Sequence, residues 1–257
     1  MSDTILLRRE GALARVTLNR PASLNAVDFE MATRWKQVAH EVTADTSVRA
    51  IVLDAAGPAF CAGGDVVAMA SAAADGTWIT ELAAVIHDGI RALVGSDVPI
   101  VAAATGAVAG GGLGLLLTAD DIVVSPDATF ASKYAAVGLT PDLGVSTLLP
   151  AAIGQRRALR MLLRDETVDA ATALEWGLVT EIAADPGARA AEVAAGWLAG
   201  ATAAFGQAKR LVRSGAGRSF PDNLDDEART IGAAFDTADA RARVAAFAAR
   251  AGSKERS

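Results

Sequence analysis

Two glycine-rich stretches offer the most chemistry in this chain: Ala62-Gly63-Gly64-Asp65, and Gly106-Ala-Val-Ala-Gly110-Gly111-Gly112-Leu-Gly114 before the apolar run Leu115-Leu116-Leu117. Bare backbone ahead of a hydrophobic helix lets main-chain N–H groups approach a ligand, although the same glycines can serve simply as tight, packed strand-to-helix turns. Other glycine chemistries fail on spacing. Counted from Gly110, the last glycine of a dinucleotide-binding G-x-G-x-x-G would fall on Leu115, and no Lys-Ser/Thr pair follows the glycines as a P-loop requires. His40 and His87 are the only histidines and Cys61 the only cysteine, so no metal site is expected. A Ser nucleophile in G-x-S-x-G is also missing. What survives is a pair of turns whose N–H groups can converge on one carbonyl oxygen. Such a pair stabilises an enolate, with each donor worth about 3–4 kcal/mol of barrier, and suits thioester chemistry.

The elements that must hold these turns repeat one grammar: strand, glycine-rich turn, helix. Residues 4–9 and 13–19 read as a hairpin around Glu10-Gly11, and Asp28 caps a helix reaching about His40 with Phe29, Met31, Trp35 and Val38 at helical spacing. A buried strand, Arg49 to Asp54, leads into the first glycine turn, after which Asp65 caps a helix over 66–70. Residues 71–77 read as a polar, Ala-rich mobile loop and 78–94 as a helix carrying His87 and Asp88. Val98 to Thr105 is a third strand running into the second glycine turn. Asp121–Ser125 and Ala128–Phe130 continue the pattern up to a loop with Gly138 and Pro141-Asp142-Leu-Gly144. From Ser146 onward helices dominate, and the final third is predicted to be all helical, with Ala-rich faces suited to close packing or oligomer contacts.

Composition narrows the function classes. With 257 residues, 52% of them apolar and 5% aromatic, the chain can bury one large core plus a smaller appendage. A net charge of −6 and the lack of a dense Lys/Arg run before the tail make nucleic acid an unexpected partner. The first residues lack a signal-peptide pattern, and the longest apolar stretch, Val98 to Ala119, is interrupted by Pro99 and several glycines, so no membrane insertion is expected. One cysteine excludes a disulfide within the chain and fits a reducing, cytoplasmic setting.

Taken together, Leu18-Asn19-Arg20-Pro21…Asn25-Ala26, Ala59-Phe60-Cys61-Ala62-Gly63-Gly64-Asp65, Pro99-Ile-Val-Ala-Ala…Gly110-Gly111-Gly112, Val137-Gly138-Leu139-Thr140-Pro141-Asp142 and Ala173-Leu174-Glu175-Trp176-Gly177-Leu178-Val179 resemble the enoyl-CoA hydratase/isomerase (crotonase) superfamily over roughly residues 5–250. The resemblance implies an α/β fold, with a β-β-α spiral core (1–190) that binds acyl-CoA. It also implies a helical region (191–257) for oligomer contacts and a lid over CoA, in a homotrimer or a dimer of trimers. Coenzyme A would be part of the substrate, with no separate cofactor. Carried over by position, the oxyanion donors are the N–H groups of Gly64 and Gly111. Ser23, Leu24, Ala62, Gly63 and Asp65 lie along CoA, and Phe247 and Lys254 match the tail that reaches it.

Departures from the family pattern narrow the reaction. Typical hydratases carry two glutamates where this chain has Gly114 and Tyr134, and hydration needs both a base and an acid. Gly114 is expected to make room for a bulky acyl group. Asp142 matches the acidic position of some isomerases in the superfamily and of the 4-chlorobenzoyl-CoA dehalogenases, and the plain alternative is a turn aspartate capping a helix. His87, twelve residues before Pro99, is either a supporting group or a satisfied structural histidine. Tyr134 can stack on an acyl group, donate a hydrogen bond or sit in the core; Cys61 reads as a small buried filler. The expected activity is double-bond isomerisation of an enoyl-CoA with Asp142 as general base. Alternatives are a weak hydratase, a dehalogenase-like enzyme with Asp142 as nucleophile, and a non-catalytic acyl-CoA binder.

Overall fold

The computed structural model describes residues 3–71 and 75–254. Strands β1 (Ile5–Glu10) and β2 (Leu13–Leu18) form the expected antiparallel hairpin. Helix α1 (Phe29–Ala44) starts where the Asp28 carboxylate accepts the Met31 N–H at 2.9 Å, and it buries Met31, Trp35, Val38 and Val42 along one face. After β3 (Ala50–Ala55) come α2 (Val66–Ser71), capped by Asp65, and α3 (Gly76–Gly95), capped by Asp75. The expected loop at 71–77 is therefore shorter: Ser71 still belongs to α2 and Gly76 already to α3, while 72–74 lie outside the described residues. β4 (Ile100–Ala104), β5 (Ala107–Ala109) and α4 (Gly111–Leu116) follow, then β6 (Asp121–Val124) and β7 (Thr129–Ala131).

The C-terminal half holds α5 (Val145–Ile153), α6 (Gln155–Arg164), β8 (Thr167–Asp169), α7 (Ala170–Trp176), β9 (Glu181–Ile182), α8 (Pro186–Ala199), α9 (Thr202–Gly215), α10 (Phe220–Phe235) and α11 (Ala238–Lys254). The expectation of an all-helical final third is corrected by β9, which pairs in parallel with β6 through Val123–Glu181 and Val124–Ile182. A two-residue strand has too few positions to show a period in the sequence.

The large sheet runs β1-β2-β3-β4-β6-β9 and the small one β5-β7-β8. Apart from the hairpin, the large sheet is parallel. Each turn of the chain adds one strand to the large sheet and a short segment to the small one before a helix: β3 with Cys61, β4 with β5, and β6 with β7. This is the β-β-α spiral. Most of its apolar side chains fill one core, including Phe60, Phe130, Leu113 and Leu116. On the other face of the large sheet α8 seats Ala190 and Ala194 against Val52, Val101, Ala103 and Val123, small residues that allow close helix-to-sheet approach. The boundary expected at 190/191 falls inside this helix. Among the described residues no helix is long and apolar enough to cross a membrane.

Candidate active site

The two glycine turns meet because the chain pairs them like strands. Cys61 bridges Val108 in parallel, with Cys61 N–H donating to Ala107 O at 3.2 Å and Ala109 N–H to Cys61 O at 2.9 Å. Gly63 then adopts φ +101°, and a Cβ there would stand 2.9 Å from Ala109 O and 3.4 Å from the Gly111 nitrogen. A side chain at 63 would hold the turns apart. Val27 brackets Gly64, donating to Gly63 O at 2.8 Å and accepting from Asp65 N–H at 2.9 Å. Among the described residues neither the Gly64 N–H nor the Gly111 N–H, the first of α4, has an acceptor.

The loop between β2 and α1 is tied to the first turn by two buried or half-buried polar groups. Asn25 donates from Nδ2 to Ala56 O (2.9 Å) and Ala59 O (2.8 Å) and accepts the Arg20 N–H at 2.7 Å. The Arg20 guanidinium pairs with Asp28 (2.8 Å) and Asp65 (3.1 Å) and donates to Ala26 O. Burial alone would raise the Asp65 carboxyl; the Ala68 N–H and Arg20 outweigh it and hold the group below its ordinary value. Arg20 and Asn25 act here as braces, a role that their place in the Asn19-Arg20-Pro21…Asn25-Ala26 motif did not reveal.

A cleft of about 970 Å³ opens between these turns, α3 and the segment before α5. The structure brings all ten expected site residues to its walls: Ser23, Leu24, Ala62, Gly63, Gly64 and Asp65 on one side, His87 on α3, and Gly111, Tyr134 and Asp142 opposite. Phe247 does not join them: it is exposed on α11, and the Lys254 side chain lies outside the described residues. Much of the remaining lining is aliphatic, with Met69, Ile79, Leu82, Ile86 and Leu139.

Hydrogen bonds hold both Asp142 and the residue after it. The Tyr134 hydroxyl donates to its Oδ1 at 2.6 Å, its carbonyl accepts the Val145 N–H at 2.9 Å, and the next amide, Leu143 N–H, donates to His87 Nε2 at 3.0 Å. His87 thus serves the loop as an acceptor through Nε2. Burial pushes the Asp142 carboxyl above its ordinary value, against the opposing pull of the Tyr134 hydrogen bond. Tyr134 is in turn raised, by burial first and then by the Asp142 charge, and stays a neutral phenol. The pair was hidden in the sequence because the seven residues between its members hold only a single 3-10 turn, Ala135–Val137, and no period that would bring the two together. The chain folds back at Gly138 (φ +70°), where Leu139 N–H donates to Tyr134 O at 2.9 Å. Cys61 is buried, its thiol pushed up to about 12, and it donates to Asn25 O at 3.1 Å.

Gly114 corrects an expectation. It makes no room for an acyl group: a Cβ there would lie 2.7 Å from Leu143 Cβ and 2.9 Å from Leu143 C, with the carbonyl oxygen closer still. Leu143, fully in the core at φ +49°, also covers Gly111, where a Cβ would meet its Cδ1 at 2.6 Å. The space opposite Gly114 belongs to the backbone that carries Asp142.

A family model described as enoyl-CoA hydratase/isomerase matches residues 8–254. The chain belongs to this family. Among its relatives, it is 34% identical to a probable enoyl-CoA hydratase of Mycobacterium tuberculosis, covering 88% of this chain and 86% of that one. It is 30% identical to the 1,2-epoxyphenylacetyl-CoA isomerase of Escherichia coli over 97% of both chains. The 4-chlorobenzoyl coenzyme A dehalogenase-2 of an Arthrobacter species is also 30% identical, over 88% of this chain and 84% of its own. A solved structure assigned to an enoyl-CoA hydratase/isomerase from Mycobacterium abscessus superposes with a TM-score of 0.90 at 35% identity, over 96% of both chains. One from Thermobifida fusca, solved with acetoacetyl-CoA, superposes at 0.81 and 29% identity over 90% and 94%. The α/β fold is the crotonase fold.

Proposed function

We propose that this enzyme of the enoyl-CoA hydratase/isomerase family is an enoyl-CoA double-bond isomerase. The observation that carries the reading is one buried, raised carboxylate, Asp142, beside Gly111, with the approach over Gly114 filled by Leu143, while the other carboxylate on the described cleft walls, Asp65, is paired with Arg20. Hydration needs one group to activate water and another to protonate carbon, whereas one base suffices to move a proton between two carbons. In a 3-enoyl thioester, Asp142 takes the α-proton. The C–H electrons form the dienolate, and its oxygen accepts the free N–H groups of Gly64 and Gly111. The same carboxyl returns the proton at the γ-carbon, the double bond ends between the α- and β-carbons, and atoms balance without a cofactor.

Support for an acyl-CoA substrate comes from the Thermobifida relative solved with acetoacetyl-CoA and from the cleft beside Ser23 and Leu24. The dehalogenase-like reading is weaker, because Tyr134 already engages Asp142 Oδ1 and is the only Phe, Tyr or Trp among the described lining residues. A homotrimer or dimer of trimers is proposed from the exposed Phe220, Ile231, Phe235 and Phe247 on α10 and α11, and light scattering measures it. A cytoplasmic site of action remains part of the proposal through the lone cysteine.

Conversion of a 3-enoyl-CoA by wild type and Asp142→Asn tests the assignment. The variant is expected to lose about 10²–10⁴-fold in kcat, the usual worth of a general base, with thioester binding retained. In the wild type the acid limb of kcat is expected to lie above the ordinary aspartate value, because the raised Asp142 must ionise to act, and Asp142→Asn is expected to lack that limb. Equal rates for the two proteins would end the reading, and calorimetric binding without turnover across an acyl-CoA panel would favour a binder instead.

A further inference from the structure

The two carboxyl oxygens of Asp142 differ in their partners: among the described residues Oδ1 accepts a hydrogen bond and Oδ2 accepts none. Oδ1 accepts the Tyr134 hydroxyl at 2.6 Å, a charge-assisted distance, and the donor is a buried phenol with 8% exposure on the core side of the loop. The groups facing this carboxyl come from three further elements: Tyr134 after β7, His87 on α3, and Gly111 at the start of α4, where a Cβ would lie 3.9 Å from Oδ1. His87 gives its Nε2 to the Leu143 amide, so the phenol is the one side-chain donor to the carboxylate among the described residues.

We propose that Tyr134 is a positioning residue that ties down Oδ1 of Asp142 and leaves Oδ2 as the single proton-carrying oxygen of the site. This rests on the reading of Asp142 as the base. A hydrogen bond to one oxygen opposes the rotation that would exchange the two, and so holds the proton taken from the α-carbon on the face from which it must return to the γ-carbon. The hydrogen bond also favours the ionised form, opposing the burial that favours the neutral one. Tyr134 thus keeps a desolvated carboxylate both aimed and charged, while its own burial and the neighbouring charge keep the phenol protonated.

Tyr134 is the only tyrosine in the chain, so growth on 3-fluorotyrosine changes this phenol alone, and Tyr134→Phe removes it while keeping the ring. The Asp142 carboxyl carbon, labelled with ¹³C and identified by its loss in Asp142→Asn, is titrated in the three proteins. The expected order of midpoints is highest in Tyr134→Phe, intermediate in wild type and lowest with the more acidic fluorophenol, and the acid limb of kcat/KM follows the same order. Tyr134→Phe is expected to lose about tenfold or more in kcat, with KM nearly unchanged, because the base is no longer aimed. With an α-deuterated substrate, its γ-carbon retains a smaller share of the transferred label than in wild type. Equal midpoints and equal label retention in the three proteins would overturn the proposal. Ordered midpoints with no turnover of any 3-enoyl-CoA would uphold the positioning role and overturn the isomerase reading instead.

Discussion

Replacing Gly114 by alanine tests how the site is built. The added Cβ would stand 2.7 Å from Leu143 Cβ and 2.9 Å from Leu143 C, whereas carbon atoms rest about 3.5–4.0 Å apart, so α4 and the 142–144 segment must separate by about 1 Å. The helix is the unyielding partner: Gly111, Leu113, Leu115 and Leu116 are all buried, while Asp142 and Gly144 flank Leu143 half-buried at the cleft. Overpacking of this kind costs about 1–3 kcal/mol. Alanine recovers about 1 kcal/mol of helix propensity, leaving a net loss of about 0–2 kcal/mol. Activity suffers more than stability, because a shift of about 1 Å in a reacting group costs on the order of 10²-fold. The moving segment stretches both the Tyr134–Asp142 bond of 2.6 Å and the Leu143–His87 bond of 3.0 Å.

The assays are urea unfolding, acyl-CoA binding by calorimetry and kcat on a 3-enoyl-CoA. Gly114→Ala is expected to fold with slightly reduced stability, bind CoA thioester normally and lose about 10²-fold in kcat. Gly114→Glu, which restores the residue of typical hydratases, is expected to gain no hydration of crotonyl-CoA, since its stem meets the Leu143 backbone. Unchanged stability and kcat in Gly114→Ala would refute the reasoning, and so would a Gly114→Glu protein that hydrates crotonyl-CoA.

Two other substitutions separate the scaffold from the chemistry. His87→Ala leaves the Leu143 N–H without its 3.0 Å acceptor, an expected cost of about 1–3 kcal/mol in unfolding free energy together with a fall in kcat; His87→Gln, able to offer an amide oxygen, is expected to recover part of both. Lys209 on α9 is buried and donates to Leu93 O (3.0 Å) and Val98 O (2.7 Å) beside Asp120 (3.1 Å), docking the helix where α3 runs into β4. Lys209→Met is expected to cost about 3–5 kcal/mol on denaturant titration, with kcat per folded molecule unchanged, and a selective loss of kcat would contradict the assignment.

The local rules of the chain were readable where a side chain acts on its own neighbours. Asp28 and Asp65 cap their helices through Met31 and Ala68 as their positions suggest, and β1, β2 and β3 fall within a residue or so of the expected ranges. The glycine turns were legible for the same reason, since spacing alone excluded phosphate loops and left paired N–H groups. What escaped depends on which distant segment fills a space. Gly114 reads as vacant in sequence, yet its vacancy is taken by Leu143, 29 positions on, through a contact that no periodicity encodes. Tyr134 and Asp142 meet through a reversal at Gly138, whose φ of +70° requires tertiary context to interpret.

A wider consequence follows for how one fold supports different reactions. The two glycine turns are fixed by backbone pairing, through the Cys61–Val108 bridge and the close approach of Gly63 to Ala109 and Gly111, so they tolerate little change. The polar side chains of the proposed site instead come from separate elements: α3 for His87, the segment after β7 for Tyr134 and the loop before α5 for Asp142. Exchanging a residue on one of these leaves the glycine turns intact, and relatives at 30–34% identity do carry names as different as hydratase, epoxyphenylacetyl-CoA isomerase and dehalogenase. In this chain the loop before α5 does two things at once, since the same two residues bring in a carboxylate at 142 and close the approach over 114. Placing a carboxylate at 142 and excluding one at 114 are thus a single structural event, and a carboxylate can enter at 114 only if the loop that carries Asp142 is rebuilt.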